Sequence, residues 1–300
     1  MNFELPERLL VVSGGGTYPE QFIAGARSAG VGHITVAAIR GMATRQTVRL
    51  ADETIWFGVG ELQNFMNWAE KQAIPQVALV GQITPSALFR TRFDALSRKI
   101  LASLRAKHAH SIFGAVTDLL EERGMRVLPA SCFMDEHLVA PAILSKRPPD
   151  EREKSDIKIG FDIALRMGGL DIGQTILIKD GMVLAVEAFE GTNEAIRRGG
   201  RLGGAGSVVI KVAKEGHDMR FDIPVIGALT LPHLRRARIS AIAFQAGRTI
   251  FLDRNEFLDS ADRWGMAVVA YDSGLPVAPL RPMKNEQKDG TSTQGGMPCA

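Results

Sequence analysis

The first half of the chain alternates short apolar runs with segments in which apolar residues recur at helical spacing. The runs with the length and composition of buried strands lie at residues 9–12, 33–38, 54–57 and 77–80. Helices are predicted at residues 61–72, 98–107 and 111–123, and an edge strand at residues 126–128. Strands that alternate with helices predict an α/β fold, here a Rossmann-like N-terminal domain with a mostly parallel sheet.

The second half has a different pattern, in which strands follow one another more often. Asp180-Gly181 separates two apolar runs, and this dipeptide between two strands predicts a β-hairpin. Further strands are predicted at residues 207–212, 241–244, 249–252 and 268–270. Helices are predicted at residues 157–170 and 254–264, and the glycines of residues 201–206 predict a loop. These elements indicate a second, mixed α/β domain.

Prolines and polar residues mark the predicted domain boundaries. We place the N-terminal domain at residues 1–135, a linker at residues 136–150 and the second domain at residues 151–273. Prolines, glycines and polar residues dominate residues 274–300, which predicts a disordered tail. A length of 300 residues leaves room for two domains of ordinary size.

Composition and charge narrow the classes of function. Hydrophobic residues make up 45% of the chain, enough for extensive cores, and a net charge of +3 without a basic block argues against nucleic-acid binding. The histidines are scattered without the spacing of a zinc site. Two cysteines in a chain of this length favour a reducing cytoplasm. No apolar run approaches the roughly 20 residues that a bilayer span needs.

A glycine-rich turn after the first strand is a candidate for phosphate binding. Residues 14–17 lie between the strand and a helical stretch that starts near Pro19, and free amides at the start of a helix attract anions. The run matches neither a Walker sequence nor a dinucleotide fingerprint, so a tight turn is an equally good interpretation. Gln82 follows the fourth strand and is predicted to face a ligand at the carboxyl end of that strand.

Charged residues concentrate in a second stretch. In an extended segment Asp218, Arg220 and Asp222 would project to the same side. Two carboxylates on one face repel each other unless a cation lies beside them, and either Arg220 or a metal ion would serve. The alternative is a surface strand edge with one ion pair. Ile223 and the apolar residues after it predict that the segment enters a core.

A third group of candidates precedes this stretch. Glu187 ends an apolar run, and Thr192 is predicted to be the N-cap of a short helix. Glu187 and Glu190 are interpreted as lining a cleft, with solvated carboxylates at a hairpin end as the alternative. Lys211 and Lys214 follow before the charged stretch. Carboxylates, lysines and a helix start together are typical of a metal-assisted phosphate site.

These motifs together resemble one family. The runs that carry the resemblance are Gly14-Gly15-Gly16 with Pro19, Leu170-Asp171-Ile172-Gly173-Gln174, residues 185–192, and residues 220–224 with Gly227. They have the order and spacing found in the UDP-2,3-diacylglucosamine pyrophosphatases of lipid A biosynthesis, the type unrelated to the metallophosphoesterase-like enzyme. The resemblance extends over residues 8–273, and the second half carries its specific motifs.

The resemblance implies hydrolysis of UDP-2,3-diacylglucosamine to UMP and 2,3-diacylglucosamine 1-phosphate (lipid X), with Mg²⁺ or Mn²⁺ as cofactor. It makes the second domain the catalytic and lipid-binding one. The predicted catalytic residues are Asp222, Glu190, Asp218 and Arg220, and the predicted metal ligands are Asp222 and Glu190. The predicted substrate-binding residues are Gly14, Gly15, Gly16, Thr17, Gln82, Asp171, Gln174, Thr192, Lys211 and Lys214. Peripheral contact with the cytoplasmic face of the inner membrane and assembly into a homo-oligomer stay open.

The chain departs from the family pattern at two places. It has Lys107-His108-Ala109-His110 where a glycine and an acidic pair are usual, and Gln245 where a glutamate is usual. Both changes remove negative charge and put metal binding in question. A non-catalytic relative that binds lipid or nucleotide is therefore an alternative, as is a nucleotide-binding oxidoreductase or transferase that uses the first domain. For Asp171 and Gln174, a purely structural link between helix and strand is equally well supported.

Overall fold

The computed structural model describes residues 4–83, 91–104, 109–213, 218, 220–221 and 223–272. The first half forms a five-stranded parallel sheet in the order β3-β2-β1-β4-β5. Its strands are β1 (Arg8–Ser13), β2 (His33–Ile39), β3 (Glu53–Phe57), β4 (Gln76–Val80) and β5 (Arg126–Val127). The predicted Rossmann-like sheet is confirmed, and its strand order reverses between β1 and β4.

Helices cover both faces of this sheet. The described helices are α1 (Tyr18–Ser28), α2 (Arg45–Arg49), α3 (Leu62–Gln72), α4 (Ala95–Ser103) and α5 (Ala109–Glu122). On one face α1 buries Phe22 and Ile23 in a core with β1, β2 and β4. On the other face α3 buries Phe65 and Met66 in a core that also contains Leu120 of α5. The two apolar faces of the sheet are thus covered by amphipathic helices, as a parallel sheet requires.

The second half forms a six-stranded mixed sheet in the order β6-β13-β11-β9-β7-β8. Strands β9, β11 and β13 run parallel, whereas β6, β7 and β8 pair in antiparallel fashion. Its strands are β6 (Ala142–Ile143), β7 (Thr175–Lys179), β8 (Met182–Val186), β9 (Val208–Lys211), β11 (Ala241–Gln245) and β13 (Ala267–Tyr271). The predicted second α/β domain of mixed pattern is confirmed.

One long helix covers one face of this sheet and shorter helices cover the other. The helices are α6 (Glu151–Gly169), α7 (Thr192–Gly203), α8 (Leu231–Arg236) and α9 (Arg254–Trp264), with 3-10 turns at Asp135–His137 and Ala228–Thr230. Phe161 of α6 packs in a core with Ile176 and Ile210, while Ile196 of α7 packs with Leu177 on the opposite face. The loop predicted at residues 201–206 is wrong in part, because α7 continues to Gly203 before Gly204 ends it with φ 64°.

The predicted hairpin between β7 and β8 is confirmed. Asp180 and Gly181 have positive φ angles of 52° and 77°, as a two-residue turn between twisted strands requires. Their amides donate to the buried carboxylate of Asp156 over 3.0 and 2.7 Å. Helix α6 therefore holds the hairpin through one side chain.

Helix α6 begins earlier than its apolar spacing predicts, at Glu151 rather than residue 157. Asp150 accepts the amide of Glu153 over 2.7 Å, and the Glu153 carboxylate accepts the amide of Asp150 over 2.9 Å. This capping box satisfies two amides at the helix start.

Arg147 binds both oxygens of Glu153 over 2.9 Å, although the Glu153 residue is only 1% exposed. Burial alone would raise the pKa of Glu153, but Arg147 and the other hydrogen-bond donors hold it below its usual value.

A small parallel sheet connects the two halves. It consists of β10 (Val225–Ile226) and β12 (Ile250–Phe251). Ile223, Ile250 and Leu252 lie in the same core as α1 and β1, which confirms that the segment after residue 222 enters a core. Nearby, Gln21 of α1 donates to Asp253 over 2.7 Å.

Residues 136–150, the predicted linker, include β6, which pairs with β13 of the second sheet. The division of the chain at this stretch stays a prediction, and the predicted tail at residues 274–300 lies outside the described residues. In the part of the chain that the structure describes, every helix is too short or too polar to cross a membrane.

Candidate functional site

The carboxyl edge of the second sheet contains the predicted lysine and carboxylate groups. β9 ends there with Lys211, which lies opposite Thr175 at the start of antiparallel β7. β8 ends at the same edge, where the amide of the next residue, Glu187, donates to the Thr175 carbonyl oxygen over 2.8 Å. Open α/β sheets bind ligands at the edge where parallel strands end.

The hydroxyl of Thr192, the first residue of α7, connects these groups. It donates to Glu187 Oε1 over 3.0 Å and accepts from Lys211 Nζ over 3.1 Å, and the Thr175 hydroxyl lies 3.4 Å away. A hydroxyl has one proton and two lone pairs, so these three partners use its full capacity. The prediction that Thr192 caps α7 is wrong, because Gly191 is the N-cap residue and the Thr192 hydroxyl bonds to Glu187.

Two charged side chains at this edge, Glu187 and Lys211, are buried. Glu187 and Lys211 are each only 7% exposed, and buried charges are costly unless they are compensated. Oε2 of Glu187 and Oε1 of Gln174 are buried without a hydrogen-bond partner among the described residues. Gln174 belongs to the same edge, because its carbonyl oxygen accepts the amide of Val212 over 2.9 Å. Unsatisfied buried acceptors of this kind are explained by an ordered water, a bound ion or a catalytic role.

Gln245, at the end of β11, also lies at this edge. Its Oε1 accepts the amide of Ala213 over 2.9 Å. A glutamate at this position could accept the same hydrogen bond. The departure from the family pattern therefore preserves the contact with the end of β9 while it removes a negative charge.

The backbone before β7 packs directly against Glu187. A Cβ atom at Gly173 would overlap the Glu187 carbonyl oxygen, whereas a Cβ atom at Gly169 would meet no atom within 4 Å. We expect Gly173→Ala to lower the free energy of unfolding by about 2 kcal/mol, because an added methyl group in a closed contact forces the backbone apart. Gly169→Ala is the matched control and should change it by less than about 1 kcal/mol. Denaturant titration of both variants measures the difference, and equal stabilities would contradict the packing described.

Glu190, a predicted catalytic residue and metal ligand, is engaged by a neighbour. Its Oε1 accepts from Arg198 over 2.5 Å, and its Oε2 accepts the amide of Ala188 over 3.2 Å. Desolvation acts to raise the pKa of Glu190, but hydrogen bonds from its own amide, Arg198 and Ala188 together hold it below its usual value. In this arrangement Glu190 is ionised and its charge is balanced by Arg198.

Arg220 holds a cluster of carboxylates. It bonds to Asp218 from Nε over 2.9 Å, and it reaches Asp118 over 3.0 Å and Glu121 over 2.6 Å on α5. Hydrogen bonds to Asp218, together with those to the α5 carboxylates, raise the pKa of Arg220 far above its usual value. Phe221 packs on Phe113 of the same helix, with ring centroids 5.9 Å apart. The charged stretch therefore attaches to the N-terminal domain.

The described residues of this stretch form a turn, so the side-by-side projection that an extended segment would give does not apply to Asp218 and Arg220. The amide of Phe221 donates to the Asp218 carbonyl oxygen over 3.2 Å, and the amide of Arg220 donates to Asp218 Oδ1 over 3.0 Å. These bonds form a turn, because an aspartate side chain offers the backbone a local alternative to a strand. Arg220, one of the two cations considered for these carboxylates, forms an ion pair with Asp218.

The glycine-rich turn forms backbone bonds to the end of β4. The amide of Gly14 donates to Val80, and Gly15 and Gln82 exchange two hydrogen bonds of 2.8 and 2.9 Å. A Cβ atom at Gly14 would lie 2.6 Å from the Gln82 carbonyl oxygen, so a glycine is needed for this close approach. The amides of Gly14 and Gly15 are thus committed to the fold, which favours the tight-turn interpretation. The turn leads into Thr17, the N-cap of α1.

Comparison with known families identifies both halves of the chain. The family model described as the LpxI N-terminal domain matches residues 8–137, and the one described as the LpxI C-terminal domain matches residues 140–269. The chain belongs to the LpxI family. A curated relative, the UDP-2,3-diacylglucosamine pyrophosphatase LpxI of Caulobacter vibrioides, is 29% identical over 276 residues, which are 88% of this chain and 98% of the relative.

Solved structures resemble this LpxI family member only weakly. The biotin carboxylase domain of Hydrogenobacter thermophilus 2-oxoglutarate carboxylase is 13% identical, with a TM-score of 0.29 over 64% of this chain and 36% of the other. Phosphoribosylglycinamide synthetase from Anaerococcus prevotii is 12% identical, with a TM-score of 0.26 over 63% and 40%. Likeness at this level does not establish a shared fold or function.

Some residues of the LpxI resemblance lie outside the described part of the chain. They include Asp222 and Lys214, and also Lys107 and His108 of the departure before α5. Their roles stay predictions. Asp171 is described: its φ angle is 54° and its amide donates to Gly168 over 2.9 Å, which fits the end of α6 and supports its structural interpretation.

The described residues do not by themselves fit a metal ion. Among them, no group of three His, Cys, Asp or Glu side chains is placed to hold one. Glu190 is bonded to Arg198, and Glu187 shares the Thr192 hydroxyl with the ammonium group of Lys211. The predicted ligand Asp222 is not among them.

Thr175 belongs to this candidate site through its contact with Thr192, although its sequence pattern did not predict a role for it. It precedes one of the two apolar runs beside Asp180-Gly181, and it is completely buried and lies opposite Lys211. Its position depends on the pairing of β7 with β9, which are far apart in sequence. A polar residue at the start of an otherwise apolar strand was the available signal.

Proposed function

We propose that this chain hydrolyses the pyrophosphate bond of UDP-2,3-diacylglucosamine and releases UMP and lipid X. The name of the Caulobacter relative supports the reaction, and the match over both family domains supports its transfer to this chain. The observation that carries the proposal is the buried pair of Glu187 and Lys211, joined by Thr192 at the carboxyl edge of the second sheet.

The chemistry of this edge suits the hydrolysis of an anhydride. Water must lose a proton as it attacks phosphorus, and the buried Oε2 of Glu187, which has no hydrogen-bond partner among the described residues, can accept it. Negative charge grows on the phosphoryl oxygens, and Lys211 supplies a fixed positive charge beside it. Thr192 orients both groups, because its hydroxyl is bonded to each. The start of α7 adds amides that favour an anion.

A divalent cation is a further part of the proposal. Asp222, which the resemblance makes catalytic, would supply a carboxylate in addition to those described. A bound Mg²⁺ or Mn²⁺ would neutralise the pyrophosphate of the substrate. We expect hydrolysis to fall at least ~100-fold in excess chelator and to return on addition of Mg²⁺ or Mn²⁺. Following UMP release during chelation and restoration measures this, and full turnover in excess chelator would contradict the metal requirement.

The lipid substrate also suggests where the protein works. Leu170, Ile172 and Phe189 are exposed apolar side chains on the two loops that meet at Gly173 and Glu187. Exposed apolar residues beside a site for a lipid substrate support peripheral contact with the cytoplasmic face of the inner membrane.

The test of the proposed reaction is the identity of its products. The purified chain is incubated with UDP-2,3-diacylglucosamine and Mg²⁺ or Mn²⁺, and the products are separated and weighed by mass spectrometry. The proposal predicts UMP and lipid X in equal amounts. Binding of the substrate without either product would support the non-catalytic alternative.

A further inference from the structure

An apolar cavity of about 120 Å³ lies in the N-terminal domain, at the carboxyl edge of the parallel sheet. Its floor is formed by residues at the ends of β1, β2, β3 and β4, including Val12, Ile39 and Leu79. Helices α4 and α5 form its walls. Ile112 and Val116 of α5 line the cavity and are only partly buried by the described residues.

The polar side chains at this cavity are already satisfied. Ser97 donates to the Gly60 carbonyl oxygen over 2.9 Å. Glu61 accepts from Arg40 over 2.6 Å and from the amide of Gly58 over 2.8 Å. The remaining lining is aliphatic or aromatic, so the interior offers a ligand few free hydrogen-bonding groups. A cavity of this composition selects for hydrocarbon, because a polar ligand would lose its bonds to water.

The cavity wall is tied to the charged stretch of the second half. Helix α5 contributes Phe113 and Val116 to the cavity, and Phe113 packs on Phe221. The opposite side of the same helix bears Asp118 and Glu121, which bind Arg220. A chain end in this cavity would therefore lie against the helix that holds the turn at Asp218–Arg220.

We propose that this cavity binds the end of one acyl chain of the substrate. The inference rests on the proposed function, whose substrate carries two acyl chains, and it places one of them in the N-terminal domain rather than on the second domain. A cavity of about 150 Å³ holds the six carbons of benzene, so this one of about 120 Å³ accommodates roughly five carbons of a chain. Each methylene excluded from such a site lowers affinity by a factor of about four.

Val116→Phe fills the cavity from α5, and Ile100→Phe fills it from α4, so that the test does not depend on one variant folding. Val183→Phe is the matched control, because Val183 is an exposed residue on the edge strand β8. Thermal denaturation of each variant shows which of them are folded. Two measurements are then made on the full-length chain.

The first measurement is the affinity for dansyl-labelled undecanoic acid, followed by fluorescence, which requires no hydrolysis. We expect at least ~tenfold weaker binding to a folded cavity-filled variant than to the wild type or Val183→Phe. The second is the ratio of kcat/KM for UDP-diacylglucosamine with tetradecanoyl chains to kcat/KM for the same compound with butanoyl chains. In the cavity-filled variants this ratio should be at least ~tenfold lower than in the wild type. Equal probe affinity in folded variants and wild type would overturn the acyl-chain site. If the cavity-filled variants lose probe binding as expected but the wild type hydrolyses no UDP-diacylglucosamine, the result would instead overturn the proposed function.

Discussion

Lys211→Met is expected to lower kcat/KM for UDP-2,3-diacylglucosamine by at least ~100-fold, or about 2.7 kcal/mol of transition-state stabilisation. Lys211 is the buried cation of the site, and it lies 3.1 Å from the hydroxyl that Glu187 also uses. A methionine keeps the length of the side chain but cannot offset negative charge on phosphoryl oxygens. Steady-state kinetics of UMP release measures the effect.

The same substitution should also destabilise the fold, because it removes the hydrogen bond from Lys211 Nζ to Thr192 and leaves the Glu187 carboxylate buried without the described cation that shares this hydroxyl. We expect a loss of roughly 3 kcal/mol, which the second substitution Glu187→Gln should largely recover. Lys154→Met is a control, since Lys154 forms an exposed ion pair with Glu151 on α6. Near-normal turnover by a folded Lys211→Met variant would remove Lys211 from the mechanism.

Arg147→Met should lower the free energy of unfolding by about 3 kcal/mol without altering the turnover of folded molecules. Arg147 binds both oxygens of Glu153, whose side chain is only 2% exposed, and its loss would leave that carboxylate buried without its principal cation. Differential scanning calorimetry should show a melting temperature lower by about 6–12 °C, at roughly 2–4 °C per kcal/mol for a chain of this size. A shift no larger than that of Lys154→Met would show that the pair contributes little.

The difference in free energy of unfolding between the wild type and Arg147→Met should depend on pH, because the pKa of Glu153 is lowered in the folded chain. Because the carboxylate ionises more readily in the folded chain, the pair stabilises the fold above the ordinary pKa of 4.5. The stabilisation is lost as the pH falls through the lower, folded pKa, where Glu153 takes up a proton. The wild type and Arg147→Met should therefore converge in stability below pH 4.5 and differ most near neutrality. A difference that does not change across this range would contradict the assignment.

The sequence predicted the elements whose signals are local. The apolar runs of β1, β2 and β4 and the turn residues Asp180-Gly181 were sufficient, because strand burial and turn chemistry depend on neighbouring residues. The start of α6 was missed because its apolar spacing begins only after the capping box. In addition, Glu153 in the first turn is bonded to Arg147, which lies in the predicted linker. The turn at Asp218 was missed because a side-chain oxygen competes with the strand ladder for the backbone amide.

The site was predicted in part. Lys211, Thr192 and Glu187 were recognised as candidates, but their connection through one hydroxyl depends on the register of β7 against β9, which no local pattern encodes. Thr175 was missed for the same reason. The cavity beside Val116 could not be predicted either, because it is formed where α4 and α5 fail to fill the space above the sheet. Non-local packing decides such features.

We propose that the hydrolysis takes place at the buried edge of Glu187 and Lys211. This proposal is tested most directly by the rate of UMP release from UDP-2,3-diacylglucosamine by the double variant Glu187→Gln, Lys211→Met. This pair of changes removes both buried charges together, so that neither is left at the Thr192 hydroxyl without the other. We expect UMP release by the wild type and a rate at least ~100-fold lower for the folded double variant. Equal rates for the two proteins would contradict it.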